Sequence, residues 1–369
     1  MTCDAVYIHI PFCRKICAYC DFCKVLYNKE YVMSYLKALE EEIISTYKGE
    51  EITTIYIGGG TPSSLSEEEL IKLFEILKHF HLAQNYELTF EANSDSLNEE
   101  KIKILKKYGV NRVSIGLETT KQNLQKILKR TTDQTEVKTT VATLRKHGIT
   151  NINLDLIYAI PSETIKDLTS DLTFLLNLNV PHISTYSLII EDNTLLKIKG
   201  LKNISLSLDR KMYDHITKTL EKNGYNHYEI SNFAKKGYES RHNLKYWQNK
   251  QYYGFGVGAS SYLNNTRYTT TRSLTKYLKG KSLTNGEHLS LTDTINYEVI
   301  LNLRTSYGIN KEEFLKKYHQ SIDSLFNYKD LVTKKILTET EETIAVNKEY
   351  YYVLNEVILK FLNTLQTNV

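Results

Sequence analysis

Short apolar runs and longer amphipathic stretches alternate along the first half of the chain. Segments 5–10, 53–57, 87–91, 111–116, 151–157 and 182–188 are rich in Val, Ile, Tyr or Leu and read as six strands. Between them, 31–47, 66–80, 98–108, 135–147 and 164–178 repeat apolar residues at helical spacing. Ser66 followed by Glu67, Glu68 and Glu69 is a capping-box start, and Gly148 after Lys146 and His147 is a helix stop. Strand–helix repetition predicts an α/β fold, a parallel sheet covered by helices. Right-handed crossovers curl such a sheet into a partial barrel with its functional loops at the carboxyl ends of the strands.

The pattern changes after Leu278-Lys279-Gly280. Segments 291–304, 311–319 and 325–334 read as helices, and 341–346 with 350–353 as a small hairpin before a last helix ending near Leu365. Helices followed by a hairpin predict an α+β, winged-helix-like module. It has no concentrated basic face, so an interaction or lid role is expected rather than nucleic-acid binding. The expected division is 1–225 for the barrel, 226–285 for an extension and 286–369 for the C-terminal module.

Composition narrows the class without naming it. A formal charge of +4 is small against 47 basic and 43 acidic side chains, so no dominant field points to nucleic acid. No apolar stretch reaches the ~18 residues of a membrane span. Five cysteines in 369 residues, an odd count with no apolar leader ahead of them, do not form a disulfide framework; the expected location is the cytoplasm.

Chemistry concentrates after the strand ends. Cys13, Cys17 and Cys20 lie in the run His9-Ile10-Pro11-Phe12-Cys13-Arg14-Lys15-Ile16-Cys17-Ala18-Tyr19-Cys20-Asp21-Phe22, directly after the first strand. Three thiolates this close can hold three irons of a cubane cluster and leave the fourth iron open for chemistry. A structural zinc site needs a second ligand pair, and the chain offers no second CxxC or HxxxH. Cys3 and Cys23 read as bystander thiols. Gly58-Gly59-Gly60-Thr61-Pro62 follows the second strand, where residues without Cβ let backbone amides approach a ligand. Glu91 and Asn93 end the third strand, Glu118 ends the fourth, Arg130 follows it, and Asp155 sits in the fifth. Each charged residue has a plain reading as a surface group or structural ion pair; their common position at one barrel end favours a site.

The CX3CX2C spacing, with an aromatic residue before its last cysteine, resembles the radical SAM signature. From Tyr7-Ile8-His9-Ile10-Pro11-Phe12-Cys13 through the glycine run to Asn153-Leu154-Asp155-Leu156-Ile157-Tyr158, the chain resembles radical SAM enzymes of the oxygen-independent coproporphyrinogen oxidase superfamily. Tyr228-Glu229-Ile230-Ser231-Asn232-Phe233-Ala234 and Arg241-His242-Asn243-Leu244-Lys245-Tyr246-Trp247, followed by Tyr253-Gly254-Phe255-Gly256, resemble its haem-chaperone branch. The resemblance implies a partial (β/α)6 radical SAM barrel. It also implies that Cys13, Cys17 and Cys20 ligate a [4Fe-4S] cluster and that Tyr7, Tyr19, Gly59, Gly60, Thr61, Glu91, Arg130 and Asp155 contact or orient S-adenosylmethionine (SAM). Glu118 departs from the pattern, because relatives commonly carry glutamine there.

Two features separate the branches. The oxidases carry a further cysteine two residues after the third ligand, where this chain has Phe22. The cluster motif begins at residue 13, so no long substrate-covering segment is expected ahead of it. His242-Asn243-x-x-Tyr246-Trp247 is the motif that the chaperone branch associates with haem. A neutral imidazole can ligate haem iron, and the aromatic pair within two turns' reach can pack on a porphyrin face. A lone histidine beside the single tryptophan also has an ordinary reading as a core residue.

The expected function is therefore a haem carrier holding a [4Fe-4S] cluster, SAM and haem. It would deliver haem to an acceptor protein, with a respiratory protein at the membrane as one destination and an electron donor serving the cluster. The competing reading is oxidative decarboxylation of coproporphyrinogen III, or another radical SAM oxidation. An RNA-modifying enzyme is disfavoured by the absence of a basic appended module. Whether SAM cleavage is used at all is left open by the sequence.

Overall fold

The structure is a computed structural model and describes residues 3–280 and 286–366. The expected boundary at 285 therefore abuts residues 281–285, outside the described ones, as do the last residues of the expected C-terminal unit. All six expected strands form: β1 (Ala5–Ile10), β2 (Glu51–Gly59), β3 (His81–Ala92), β4 (Arg112–Glu118), β5 (Asn151–Tyr158) and β6 (His182–Ser187). They pair in parallel in chain order. Short strands β7 (Asn226–Glu229) and β8 (Asn232–Ala234) add antiparallel beyond β6, and β9 (Tyr253–Phe255) adds parallel beside β1. The resulting order is β9-β1-β2-β3-β4-β5-β6-β8-β7.

The five expected helices alternate with the strands: α1 (Lys29–Thr46), α2 (Glu67–Leu77), α3 (Glu99–Lys107), α4 (Gln134–Lys146) and α5 (Ile165–Leu178). Ser66 and Glu69 close a capping box on α2, Thr164 and Asp167 close one on α5, and Gly148 adopts φ +75° just past α4. Strand β3 begins earlier than its apolar pattern, because in residues 81–86 exposed His81, Gln84 and Asn85 interrupt part-buried Leu82, Ala83 and Tyr86.

Alternation along the strands divides the interior in two. Val6, Ile8, Ile55, Ile57, Leu88, Phe90, Val113, Ile115, Leu154 and Leu156 pack into one apolar core with the helices. The intervening positions, among them Thr54, Thr89, Arg112, Ser114, Asn153, His182 and Ser184, are buried and polar. Side chains two apart share a face of a strand, so this second set faces the concave side of the sheet. Buried polar groups require partners there: Asn153 Nδ2 donates to Asp155 Oδ1 at 2.8 Å and His182 Nδ1 lies 2.6 Å from Asn153 Oδ1.

The C-terminal module has its own apolar core, running from Ile295 to Phe361. Its expected hairpin is misplaced in the sequence reading. The observed pair is Leu337–Glu339 with Thr343–Val346, joined by Ile309–Asn310 as a third strand. Residues 350–353 lie instead in the 3-10 helix Lys348–Val353, started by the Asn347 side chain accepting from the Glu349 amide. Three consecutive tyrosines suggested a strand there; the cap overrides that propensity. The expected helix 325–334 is broken by extended Phe326 into Ile322–Leu325 and Lys329–Thr333. Among the described residues, no helix is long and apolar enough to cross a membrane.

Candidate functional site

Two loops at the carboxyl ends of β1 and β2 are locked together. Phe12–Cys13 pairs in parallel with Val25–Leu26, which fixes both ends of the cysteine loop, and the Ala18 amide donates to the Leu128 carbonyl at 2.8 Å. The Gly60 amide donates to Ile10 O at 2.8 Å and the Thr61 amide to Phe12 O at 2.9 Å. A Cβ on Gly60 would lie 2.6 Å from the Pro11 carbonyl oxygen and 3.0 Å from Cys13 Sγ, and one on Gly58 would lie 2.8 Å from the Glu91 carboxylate. Gly59 adopts φ +117°. The glycine run is thus required by backbone conformation and by close approach to the cysteine loop and Glu91.

Cys13, Cys17 and Cys20 line one cavity of about 350 Å³. Thr61 Oγ1 donates to Cys13 Sγ at 3.6 Å, and Arg130 Nη1 lies 3.9 Å from Cys17 Sγ. Burial pushes the Cys13 thiol up to about 11 and raises Cys20 as well. Thiols of this kind ligate metal only after losing their protons, which a bound cation promotes. Among the described residues no three His, Cys, Asp or Glu side chains converge on a single ion. A cubane cluster makes no such demand, since each of three cysteines takes a different iron, and the donor set of three thiols on one short loop fits it.

The remaining charge on the cavity wall is balanced, with Glu91, Glu118 and Asp155 facing Lys15, Lys24 and Arg130. Glu91 accepts from Tyr56 OH at 2.7 Å and from the Gly59 amide at 3.1 Å; burial pushes it up to about 7, reinforced by Asp155 and opposed by those hydrogen bonds. Burial likewise raises Asp155, held by Asn153 and Ser114. Register places Glu91 beside Ser114 and Gly116 beside Asp155, so the two carboxylates sit on neighbouring rungs of one face. Glu118, at φ +56°, pairs with Arg130 Nε at 2.8 Å and accepts from Tyr19 OH at 3.2 Å; burial pushes it up to about 7 against the pull of Arg130. Arg130 Nη2 also donates to Asn93 Oδ1 and the Gly116 carbonyl. A Cβ on Gly116 would lie 2.5 Å from that guanidinium. Arg130 is matched to Glu118, and Arg112 acts on both Glu91 and Asp155; the part-buried Glu91 and Asp155 remain to meet a ligand that carries positive charge and hydroxyl donors.

Eight of the ten expected ligand-contacting residues therefore line the cavity with the cysteines: Tyr19, Gly59, Gly60, Thr61, Glu91, Glu118, Arg130 and Asp155. Tyr7 does not. It stacks on Tyr56 at 6.2 Å, hydrogen-bonds His9, and lines a separate cleft. His242 does not either. It is fully buried on the short helix α6 (Arg241–Trp247), with Nδ1 2.9 Å from Thr54 Oγ1 and Nε2 2.8 Å from Tyr246 OH. The expectation that it offers iron a free ring nitrogen is not met in this conformation. Burial, with Arg112 and Lys245 nearby, pushes His242 down to about 3.

Tyr56, Ser114 and Tyr186 also line the cavity and went unnoticed in the sequence. Strand alternation could have found them, because Tyr56 stands two before Gly58, Ser114 two before Gly116 and Tyr186 two after Ser184. A larger cavity of about 950 Å³ lies between α1 and β9, but it contains none of the expected residues, and convergent chemistry assigns the site to the smaller one.

Comparison with known proteins gives a consistent picture. The radical SAM superfamily model matches residues 7–175. The chain is 40% identical to the heme chaperone HemW of Lactococcus lactis, covering 97% of both chains, and 39% identical to that of Bacillus subtilis, covering 98% of this chain and all of that one. Identity to HemW of Escherichia coli is 33%, over 97% of this chain and 98% of that one. The E. coli coproporphyrinogen III oxidase HemN superposes with a TM-score of 0.86 over 97% of this chain and 89% of its own at 21% identity, a likeness of fold.

Proposed function

The chain belongs to the heme chaperone HemW family of radical SAM proteins, and on that premise we propose that it binds haem and passes it to an acceptor protein. The observation that carries this reading is the pairing of near-full-length similarity to heme chaperones with one cavity that gathers the three cysteines and eight further expected residues. Radical SAM membership implies a [4Fe-4S] cluster and SAM.

Cys13, Cys17 and Cys20 would hold the cluster, each thiolate on a separate iron, with Thr61 and Arg130 directed at two of the sulfurs. Glu91 would receive the amino group of SAM, held for that purpose between Tyr56 OH and the Gly59 amide. Asp155, braced by Asn153 and Ser114, and Glu118, braced by Arg130 and Tyr19, would take hydroxyl donors and the sulfonium side. Glutamate in place of amide at Glu118 adds negative charge beside a cationic ligand and is balanced by Arg130. Bound together, cluster and SAM supply reductive cleavage of a carbon–sulfur bond.

Phe22 supports the carrier over the oxidase. It stands where the oxidase pattern has a cysteine and is 70% exposed, an apolar side chain with no ligand to offer. The acceptor and the electron donor would be proteins, and 286–369 would serve as a docking or lid module.

Anaerobic cluster reconstitution followed by haem titration and a parallel coproporphyrinogen turnover assay tests the reading. Stoichiometric haem retention without porphyrinogen consumption is expected; conversion to protoporphyrinogen with no haem retained overturns it.

A further inference from the structure

Among the described residues two lysine or arginine side chains are buried, Lys101 and Arg112. Lys101 spends its charge locally, donating to the Ser63 carbonyl at 2.7 Å and the Ser96 carbonyl at 2.9 Å. Arg112 is 2% exposed and has no such match: among the described residues its Nε is buried without a hydrogen bond and no carboxylate closes an ion pair on it. A buried guanidinium left unmatched is costly, so its place in the barrel asks for a reason.

That place is the first position of β4, where Arg112 stands opposite Thr89 on β3 and Asn151 on β5. Two residues on and on the same face, Ser114 is opposite Glu91, and two further on Gly116 is opposite Asp155. Each such step is about 7 Å along the strand, a length that an arginine side chain spans. Glu91, Ser114 and Asp155 line the cavity that gathers the cysteines, whereas Arg112 does not. It lies under the floor of that cavity, where it acts on both carboxylates: burial raises Glu91 and Asp155, and Arg112 pulls both back.

Nothing else in this interior supplies the same charge. His182 from β6 and His242 from α6 face Arg112, and burial followed by Arg112 itself pushes both well below their ordinary 6.5. They are neutral at neutral pH. Tyr56 from β2 and Tyr228 from β7 also feel the guanidinium, and Tyr7, Tyr186 and Tyr246 face Glu91. Of the remaining acidic groups, Glu87 on β3 accepts from the Arg241 and His242 amides at 3.1 and 3.0 Å, Glu118 is paired with Arg130, and Glu229 at the end of β7 acts on Arg304.

We propose that Arg112 is a positioning residue for SAM, a counter-ion beneath the cavity that keeps Glu91 and Asp155 charged and ready to accept the ligand's ammonium and hydroxyl donors. The proposal rests on the reading that these two carboxylates receive SAM. Arg112 touches neither ligand nor cluster, and its effect passes through the two carboxylates above it.

Calorimetric titration of SAM into the anaerobically reconstituted full chain, repeated from about pH 6 to about pH 8.5, tests it. Wild-type affinity is expected to decline on the acid side of about 7, where Glu91 takes up its proton. Arg112→Gln is expected to move that limb up by about one pH unit, weakening SAM about tenfold near pH 6 and less than about twofold near pH 8.5, with iron content at the wild-type level. Arg112→Lys, which restores the charge, is expected to move the limb back toward wild type. A limb that stays in place in Arg112→Gln overturns the proposal, and so does a loss of affinity by one factor at every pH, which a purely structural role would give. Should Arg112→Gln lose its iron, the same change in a Glu91→Gln background decides. With one carboxylate fewer to balance, iron retention is expected to return, and continued loss overturns the proposal. A wild-type chain that binds no SAM overturns the assignment of Glu91 and Asp155 to that ligand, and the role of Arg112 with it.

Discussion

The cysteine cavity and the surroundings of His242 are built on the same strands, a few residues apart, yet they spend their polar atoms differently. At the carboxyl ends, Glu91, Glu118 and Asp155 are crowded into one cavity at the cost of raised proton affinity, and three thiols wait on a fixed loop. Deeper in the barrel, both ring nitrogens of His242 are already matched to Thr54 and Tyr246, and Glu87 is spent on two amides. Carboxylates crowded round one cavity with their proton affinity raised mark a place made for a ligand, even though each has hydrogen-bond partners; a ring buried outside that cavity with both nitrogens matched marks a scaffold. A motif signals importance equally in both cases, and the shared cavity tells them apart.

The largest effect that would break this contrast concerns the thiols. Cys13→Ala, Cys17→Ala or Cys20→Ala is expected to abolish iron retention after anaerobic reconstitution, read by iron and sulfide assay. Cys3→Ala and Cys23→Ala are expected to retain wild-type iron. Equal loss in Cys23→Ala would make the cluster loop a different ligand set from the one drawn here. Next comes His242→Ala, which deletes a buried ring and strands Thr54 and Tyr246; a loss of about 2–4 kcal/mol in denaturant unfolding is expected. A loss below about 1 kcal/mol would mean that the residue is not part of the scaffold.

These two regions also show what could be read before folding. The six strands, the five helices and the cysteine loop are legible because alternation, capping and spacing are local signals: Ser66 with Glu69, Thr164 with Asp167 and Gly148 all act where the pattern places them. The cavity's carboxylates were legible through a topological rule, strand ends facing one way. That His242 lies outside the cavity was not, since what decides it is contact across 188 residues of chain, between Thr54 and His242. The Tyr350-Tyr351-Tyr352 run misled for a related reason, because propensity cannot see that Asn347 starts a helix there.

Glu91 tests the ligand side of the contrast at smaller scale. Glu91→Gln keeps shape and a hydrogen bond to Tyr56 but removes the charge that would meet an ammonium. A charge-assisted hydrogen bond contributes roughly 1.5–3 kcal/mol, so SAM affinity measured by calorimetry is expected to fall on the order of tenfold to a hundredfold. An unchanged affinity would remove Glu91 from the site. His242→Gln, on the scaffold side, is expected to leave SAM affinity within about threefold.

Acid gives the finest separation, because the two regions push stability in opposite directions. Glu91 and Glu118 titrate near 7 when folded, above their ordinary 4.5, so the folded state holds extra protons and their contribution to stability declines as pH rises from about 4.5 to 7. His242 is held down to about 3 against an ordinary 6.5, so the unfolded state takes up the proton first and stability is lost as pH falls from about 6.5 toward 3. Over the shared window the terms oppose. Glu91→Gln removes a group that resists acid unfolding, and urea midpoints are expected to fall more steeply between pH 6.5 and 4.5 than in the wild type. His242→Gln removes a group that promotes it and is expected to flatten the same profile. Parallel profiles for the two variants would show that the cavity and the histidine network do not differ in the way their hydrogen bonds indicate.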